Sequence, residues 1–247
     1  ARVASDTEGM LKPVVDYEIT PKLATVTFPI AAKQIKETNK IGILYVSAET
    51  LTLQYCILSI NEDLKDFTIS DSIDMNLAAI DGYEFDLEYV TDNDFIVAYK
   101  ENEAAQVKML YYTYNENILN LQQTVECSVN PAVNYEQRYA IHLASCCSTS
   151  IMLVCGGERL YTAAFRFQDN NLVEVKTQAF STYQRYVHIK PGAVQIRSYD
   201  ERNYFILYRE GVTTTHYNLY AICVNIYKDT INFLTSSVYI DGTSSTY

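Results

Sequence analysis

Four short apolar runs punctuate the chain: Ile41–Tyr45, Phe95–Tyr99, Ile151–Cys155 and Tyr204–Tyr208. Their last residues stand 54, 56 and 53 positions apart. Continuous runs of five, rich in β-branched and aromatic residues, predict strands covered on both faces. An alternating segment and a polar turn precede three of them: Tyr83–Val90 before Thr91–Asp94, Tyr139–Ala144 before Cys146–Thr149, and Ala193–Tyr199 before Asp200–Asn203. Asp and Asn in such turns bond nearby backbone and tolerate left-handed φ, so these are hairpin signals.

Two further strands follow each run. The third is read at Leu51–Ile60, Val107–Tyr114, Leu160–Phe167 and Tyr217–Tyr227, and the fourth at Leu64–Ser70, Leu119–Val125, Leu172–Phe180 and Ile231–Ile240. Four up-and-down strands per unit of about 54 residues, with no helical period between them, predict an all-β fold: a β-propeller of four-stranded antiparallel blades. The blades fall at 30–70, 83–125, 138–180 and 193–240 of a single domain, 1–247. The stretch 13–29 reads as a half-blade, with strands at Val14–Ile19 and Leu23–Phe28. Its missing half implies an incomplete ring or a segment of a longer polypeptide. A β-sandwich of similar hairpins is the alternative architecture.

Phe205–Tyr208 followed by Leu219–Val224, and Phe95–Tyr99 followed by Met109–Tyr114, resemble the β-propeller repeats of bacterial and protist surface proteins. The likeness is a strand pattern covering most of the chain; it departs where those repeats carry Trp and glycine-rich loops. It implies a secreted or surface-attached propeller used for binding, and implies no catalytic residue.

Charge removes two classes of partner. The 19 Lys and Arg against 30 Asp and Glu give a net charge of −11, with no basic stripe to replace phosphate counterions, so nucleic acid is excluded. Anionic lipid surfaces are disfavoured likewise, and no apolar run nears the ~20 residues of a spanning helix. Six cysteines (Cys56, Cys127, Cys146, Cys147, Cys155 and Cys223) permit three disulfides and show no metal-ligand spacing. The absence of any Asn-x-Ser/Thr sequon leans against a eukaryotic secretory route and keeps an intracellular scaffold open.

In a propeller the innermost strand of each blade lines the channel, and ligands favour its mouth. The polar alternates expected there are Asp86, Glu88, His142, Gln195 and Arg197, with Gln34 and Lys36 in the first blade. Asp86, Glu88, His142 and Arg197 are the ligand-binding candidates. Facing carboxylates could act as acid and base on a glycosidic bond; polar side chains on a wet channel wall are the plain alternative. The 22 Tyr suit half-wet strand ends, and Tyr111, Tyr112 and Tyr114 are the candidates for protein contact. Tyr183 with Tyr186 and Tyr217 with Tyr220 form similar pairs.

No cofactor or metal site is expected. The three His (142, 188 and 216) fall in different units, and Asp71–Asn76 with Asp81 and Gly82 lacks calcium-loop spacing, reading as a solvated connection. Gly156-Gly157 reads as a hairpin turn, and no Gly-x-Ser-x-Gly elbow exists. The expected function is therefore a non-enzymatic binding or structural module, extracellular or at the cell surface, that contacts protein partners or copies of itself. The alternative is a carbohydrate-binding or glycoside-processing propeller with its site at the channel mouth.

Overall fold

The computed structural model describes residues 3–5, 11–13, 30–61, 67–78, 85–100, 106–128, 140–147, 150–156, 160–179, 194–200, 202–211, 216–227, 229–235 and 238–244. A short pair, β1 (Val3–Ser5) and β2 (Leu11–Pro13), forms a two-stranded sheet. The strands expected at Val14–Ile19 and Leu23–Phe28 lie outside the described residues, so of the half-blade at 13–29 only Pro13 and Ile30 at its border are seen.

Blade 1 comprises β3 (Ala31–Gln34), β4 (Lys40–Val46), β5 (Thr52–Ile60), β6 (Phe67–Ile69) and β7 (Ile73–Ala78). Blade 2 is β8 (Asp86–Tyr89), β9 (Asp94–Lys100), β10 (Val107–Asn115) and β11 (Ile118–Glu126). Blade 3 follows with β12 (Ala140–Cys147), β13 (Ser150–Gly156), β14 (Leu160–Gln168) and β15 (Asn171–Ala179). Blade 4 has β16 (Val194–Ser198), β17 (Asn203–Gly211), β18 (His216–Tyr227), β19 (Thr230–Phe233) and β20 (Val238–Ser244). Every pairing is antiparallel between sequence neighbours, apart from β7 on β5 and β20 on β18.

Three cores join the blades in series. Leu44 and Tyr55 of blade 1 pack with Leu87, Phe95 and Val97 of blade 2. Ile96, Ala98 and Met109, on the opposite face of blade 2, pack with Ile141, Leu153 and Phe165 of blade 3. Met152, Val154 and Ala164 then meet Ile206, Ile222 and Val224 of blade 4. Blades 2 and 3 thus bury both faces, which accounts for continuous apolar runs in their second strands. A two-sheet sandwich would bury one face of each, so that alternative falls. The first strands stand side by side, β3 by β8, β8 by β12 and β12 by β16, while β15 sits between β11 and β19 at the rim.

The two-residue connections Glu116-Asn117 and Asp169-Asn170 hold positive φ at all four residues (50°, 64°, 51° and 60°), as a type I′ hairpin requires. The fourth strand also departs from register at one level in all four blades. In blades 2 and 3 the departure is a bulge, at Tyr111/Tyr112 and Ala164/Phe165. In blades 1 and 4 the strand splits. There Ser70 and Leu234 donate their N–H groups to the carbonyls of Ile57 and Cys223, each at 2.9 Å. The amides of those residues go to the hydroxyls of Ser70 (2.9 Å) and Thr235 (3.2 Å). A hydroxyl thus takes the donor that the broken ladder leaves over.

Two local readings change. Asp71–Asn76 is no solvated loop: Ile73–Ala78 is strand β7, and Asp74 accepts from the Thr52 hydroxyl (2.9 Å) and the Asn76 amide (2.7 Å). Asp81 and Gly82 lie outside the described residues, as do His188, Tyr183, Tyr186 and Gly157. Gly156 ends β13 paired with Leu160, so it is a strand residue and not the first half of a Gly-Gly turn.

Candidate functional site at the inner strands

Pairing with the apolar runs sorts the inner strands into two levels. At one level stand Ala31, Asp86, His142 and Gln195, opposite Leu44, Ala98, Val154 and Leu207. At the other stand Lys33, Glu88, Ala144 and Arg197, opposite Gly42, Ile96, Met152 and Phe205. Because side chains alternate along a strand, both levels lean toward the following blade.

Asp86 and Glu88 of blade 2 therefore reach blade 3. Asp86 accepts the backbone N–H of Leu143 at 2.8 Å on one oxygen and that of Leu87 at 2.9 Å on the other. Glu88 accepts the Ser145 hydroxyl at 2.8 Å. Lys33 reaches forward from blade 1, its Nζ 3.2 Å from Glu88 Oε2 and 3.9 Å from Asp86 Oδ2. The same ammonium donates to the Leu143 carbonyl at 3.2 Å. Both polar groups of Leu143, on the channel edge of β12, are thus met by charged side chains. His142 places Nδ1 3.7 Å from Asp86 Oδ2, a contact that becomes an ion pair on protonation.

The two carboxylates differ in access. The side chain of Asp86 is 8% exposed and that of Glu88 16%. Asp86 is committed to backbone amides, whereas Glu88 is held by side chains, a hydroxyl and an ammonium. Both are acceptors, so the site suits a ligand rich in donors. Among the described residues no three His, Cys, Asp or Glu side chains gather as a metal would require.

Sequence reasoning missed Lys33 and named its neighbours Gln34 and Lys36. The error is a register slip of one residue, which moves every side chain to the other face. Gln34 is exposed and donates to the Thr38 carbonyl at 2.8 Å, and Lys36 sits in the turn after β3 with φ of 34°. Arg197 belongs to the level of Glu88, yet it leans beyond blade 4, away from the carboxylates. It is exposed and donates to the Ile196 carbonyl at 2.9 Å.

The tyrosines proposed for protein contact are engaged internally. Tyr111 donates to Asp94 (3.1 Å) and packs edge-on to Phe167. Tyr112 is buried against Phe95, and desolvation lifts its hydroxyl pKa to about 12. Tyr114 packs edge-on to Tyr55 and donates to Asn117 at 2.7 Å. Tyr220 stacks on Tyr208, and the side chains of Tyr217 and His216 are outside the description. Cys56, Cys155 and Cys223 are free thiols, so the three-disulfide framework is not formed.

No protein-family model and no curated protein matches this sequence. Solved structures do. A protein from Lactobacillus plantarum superposes over 96% of this chain and 64% of its own, at a TM-score of 0.57 and 10% identity. The GH93 α-L-arabinofuranosidase of Fusarium graminearum, solved with arabinobiose, covers 88% of this chain and 68% of its own, at 0.53 and 9%. The chain is a β-propeller. It spans just under two thirds of the Lactobacillus plantarum chain. At such identities the likeness is one of fold alone. It still corrects the expectation of a chain without enzymatic activity, because a propeller of this shape is itself a named glycoside hydrolase. Among the described residues no helix is long and apolar enough to cross a membrane.

Proposed function

We infer that this propeller binds or processes carbohydrate at the mouth of its central channel, with Glu88 and Asp86 as the acidic pair. The observation that carries this is the shared ammonium: Lys33 lies 3.2 Å from one carboxylate and 3.9 Å from the other. That keeps the acids within the roughly 9.5 Å limit of catalytic glycosidase pairs. Glu88, the more accessible, accepts sugar hydroxyls; Asp86 holds the adjoining β12 edge in place; Lys33 donates to a sugar oxygen. The resemblance in fold to an arabinofuranosidase supports the same substrate class. A secreted or surface location suits a protein acting on polymeric glycan.

The test is titration with arabinobiose and longer neutral oligosaccharides, with release of reducing ends followed in parallel. Glu88→Gln is expected to weaken binding at least tenfold, and to abolish turnover wherever the parent protein shows it. Binding by neither parent nor variant overturns the reading.

A second reading, contact with another copy of the chain, is supported by one feature of blade 4. Leu234, Val238, Tyr239 and Ile240 are 54%, 56%, 55% and 48% exposed along its rim, an apolar concentration typical of association surfaces. Concentration-dependent mass that Val238→Lys abolishes would support it.

A further inference from the structure

Each oxygen of Glu88 has its own donor. Oε1 accepts the Ser145 hydroxyl of blade 3 at 2.8 Å, and Oε2 accepts the Lys33 ammonium of blade 1 at 3.2 Å. A glutamate side chain rotates about three bonds and loses much of that freedom when a ligand orders it. Donors on both oxygens, from blades on either side, order it beforehand. A carboxylate offers roughly four lone-pair sites, so about two stay open to a ligand.

The two donors are not equivalent. Lys33 is shared, since it also donates to the Leu143 carbonyl at 3.2 Å and lies 3.9 Å from Asp86. Ser145 has a single hydroxyl proton. Its other acceptor, the Tyr89 carbonyl, is 3.4 Å away and uncharged, so the carboxylate at 2.8 Å takes the proton.

The backbone at Ser145 is shaped around this contact. Ser145 pairs with Ile151 as Leu143 pairs with Leu153, and the last three residues pack in the core between blades 2 and 3. Ser145 therefore shares their face and points toward blade 2. Directly after it the register of β12 slips, so that Cys147 pairs with Ser150. The inner strands β3, β8 and β16 keep unbroken register with their partners. A bulge bends its strand and re-aims a side chain. Among the four inner strands it falls at the residue that meets Glu88.

We propose that Ser145 is a positioning residue of the channel-mouth site: its hydroxyl, at the bulged end of β12, sets the Glu88 carboxylate in the orientation that accepts sugar hydroxyls. This rests on the carbohydrate reading of that site. Ser145 acts through Glu88 and not on the sugar.

The experiment measures arabinobiose affinity by calorimetry on the full chain. In the sugar-free protein it also follows the carbon NMR resonance of the Glu88 carboxyl, assigned through its loss in Glu88→Gln. Ser145→Ala is expected to weaken binding about tenfold, the order of one hydrogen bond to a charged group, and to move the resonance. Ser145→Thr keeps the hydroxyl and is expected to restore both. In Glu88→Ala, where no carboxylate is left to position, Ser145→Ala is expected to cause no further loss. Unchanged affinity in Ser145→Ala overturns the proposal, and so does an equal loss in the Glu88→Ala background. A loss that Ser145→Thr fails to restore, at an unchanged melting temperature, overturns it too, because the effect then belongs to packing. Should Ser145→Thr lower the melting temperature, the Glu88→Ala background decides. If the parent protein binds no sugar, the carbohydrate reading falls and the resonance decides. A shift in Ser145→Ala that Ser145→Thr reverses then keeps Ser145 as the residue that sets Glu88, and an unmoved resonance overturns it.

Discussion

The Tyr89 hydroxyl occupies the space that a side chain on Gly42 would need: a β-carbon there would lie 1.8 Å from that oxygen and 2.8 Å from the ring carbon bearing it. Gly42 interrupts an otherwise apolar strand because blade 2 sends a whole tyrosine across the interface at this point. The ring is anchored, since Tyr89 and Tyr55 share a hydroxyl–hydroxyl bond of 2.7 Å beneath the Tyr55–Phe95 stack.

Gly42→Ala is therefore expected to destabilise the protein by about 1–3 kcal/mol, the usual cost of overpacking a filled core. Chemical denaturation measures it. Gly42→Ala combined with Tyr89→Phe is expected to recover part of the loss, because removing the hydroxyl relieves the nearest contact. Two variants that simply add would refute this account of the glycine.

Alkali probes the same interface. Burial, the main cause, pushes the hydroxyl pKa values of Tyr55 and Tyr89 far above the ordinary 10.0 and that of Tyr112 to about 12. A raised folded-state value means the unfolded chain gives up protons first as pH climbs. These tyrosines thus contribute stability that is complete below about pH 10 and falls as pH rises toward 12 and beyond. Denaturation midpoints are expected to drop steadily from pH 10 upward. Absorbance at the tyrosinate band should show a delayed class that ionises only with unfolding. Ionisation of all tyrosines near pH 10 in the folded protein would contradict the buried cluster.

Thiol chemistry separates the cysteines by position. Burial raises the Cys56 thiol pKa and, with Cys127 and Glu174 adding and Lys100 opposing, raises that of Cys155 well above 9.0. Thiolate is the reactive form, so both are expected to resist alkylation at pH 8 in the native state. Cys223, only partly covered, is expected to react before either of them. Peptide mapping after timed alkylation reads the order, and early labelling of Cys155 would refute the packing between blades 2 and 3.

Much of this arrangement was legible in the chain. The runs ending at Tyr99 and Cys155 announce second strands because blades 2 and 3, enclosed by neighbours, leave their middle strand no wet face; those ending at Tyr45 and Tyr208 carry the same pattern with one face less covered, Phe205 being 38% exposed. The Asp and Asn turns announce hairpins because their side chains make the backbone bonds themselves. Asp86 and Glu88 were visible as alternates on an inner strand. Lys33 was not, because Ala31–Gln34 is too short to reveal its phase, and a lone Lys at a strand end looks like a solvated one. Counting back from each apolar run would have aligned it with Glu88. The split fourth strands were hidden for another reason: a hydroxyl that caps a stray amide, as on Ser70 and Thr235, carries no pattern in the sequence.

The Lys33 cluster yields the sharpest test of how the inner ring holds together. One ammonium serves Glu88, Asp86 and the Leu143 carbonyl, and so links blades 1, 2 and 3. Lys33→Met keeps the aliphatic stem but leaves two largely buried carboxylates facing one another. That repulsion, with the lost bond to Leu143, is expected to cost about 2 kcal/mol, less than the 3–5 of a fully buried pair because water still reaches Lys33. Glu88→Gln in the Lys33→Met background is expected to restore part of the stability, since it removes the charge left over. The double-mutant cycle over these two positions isolates the pair, and a coupling near zero would show that Lys33 acts through Asp86 and the Leu143 carbonyl instead. Salt sharpens the comparison. Screening should narrow the gap between parent and Lys33→Met as ionic strength rises if like-charge repulsion dominates the loss, and should leave it unchanged if the Leu143 bond does.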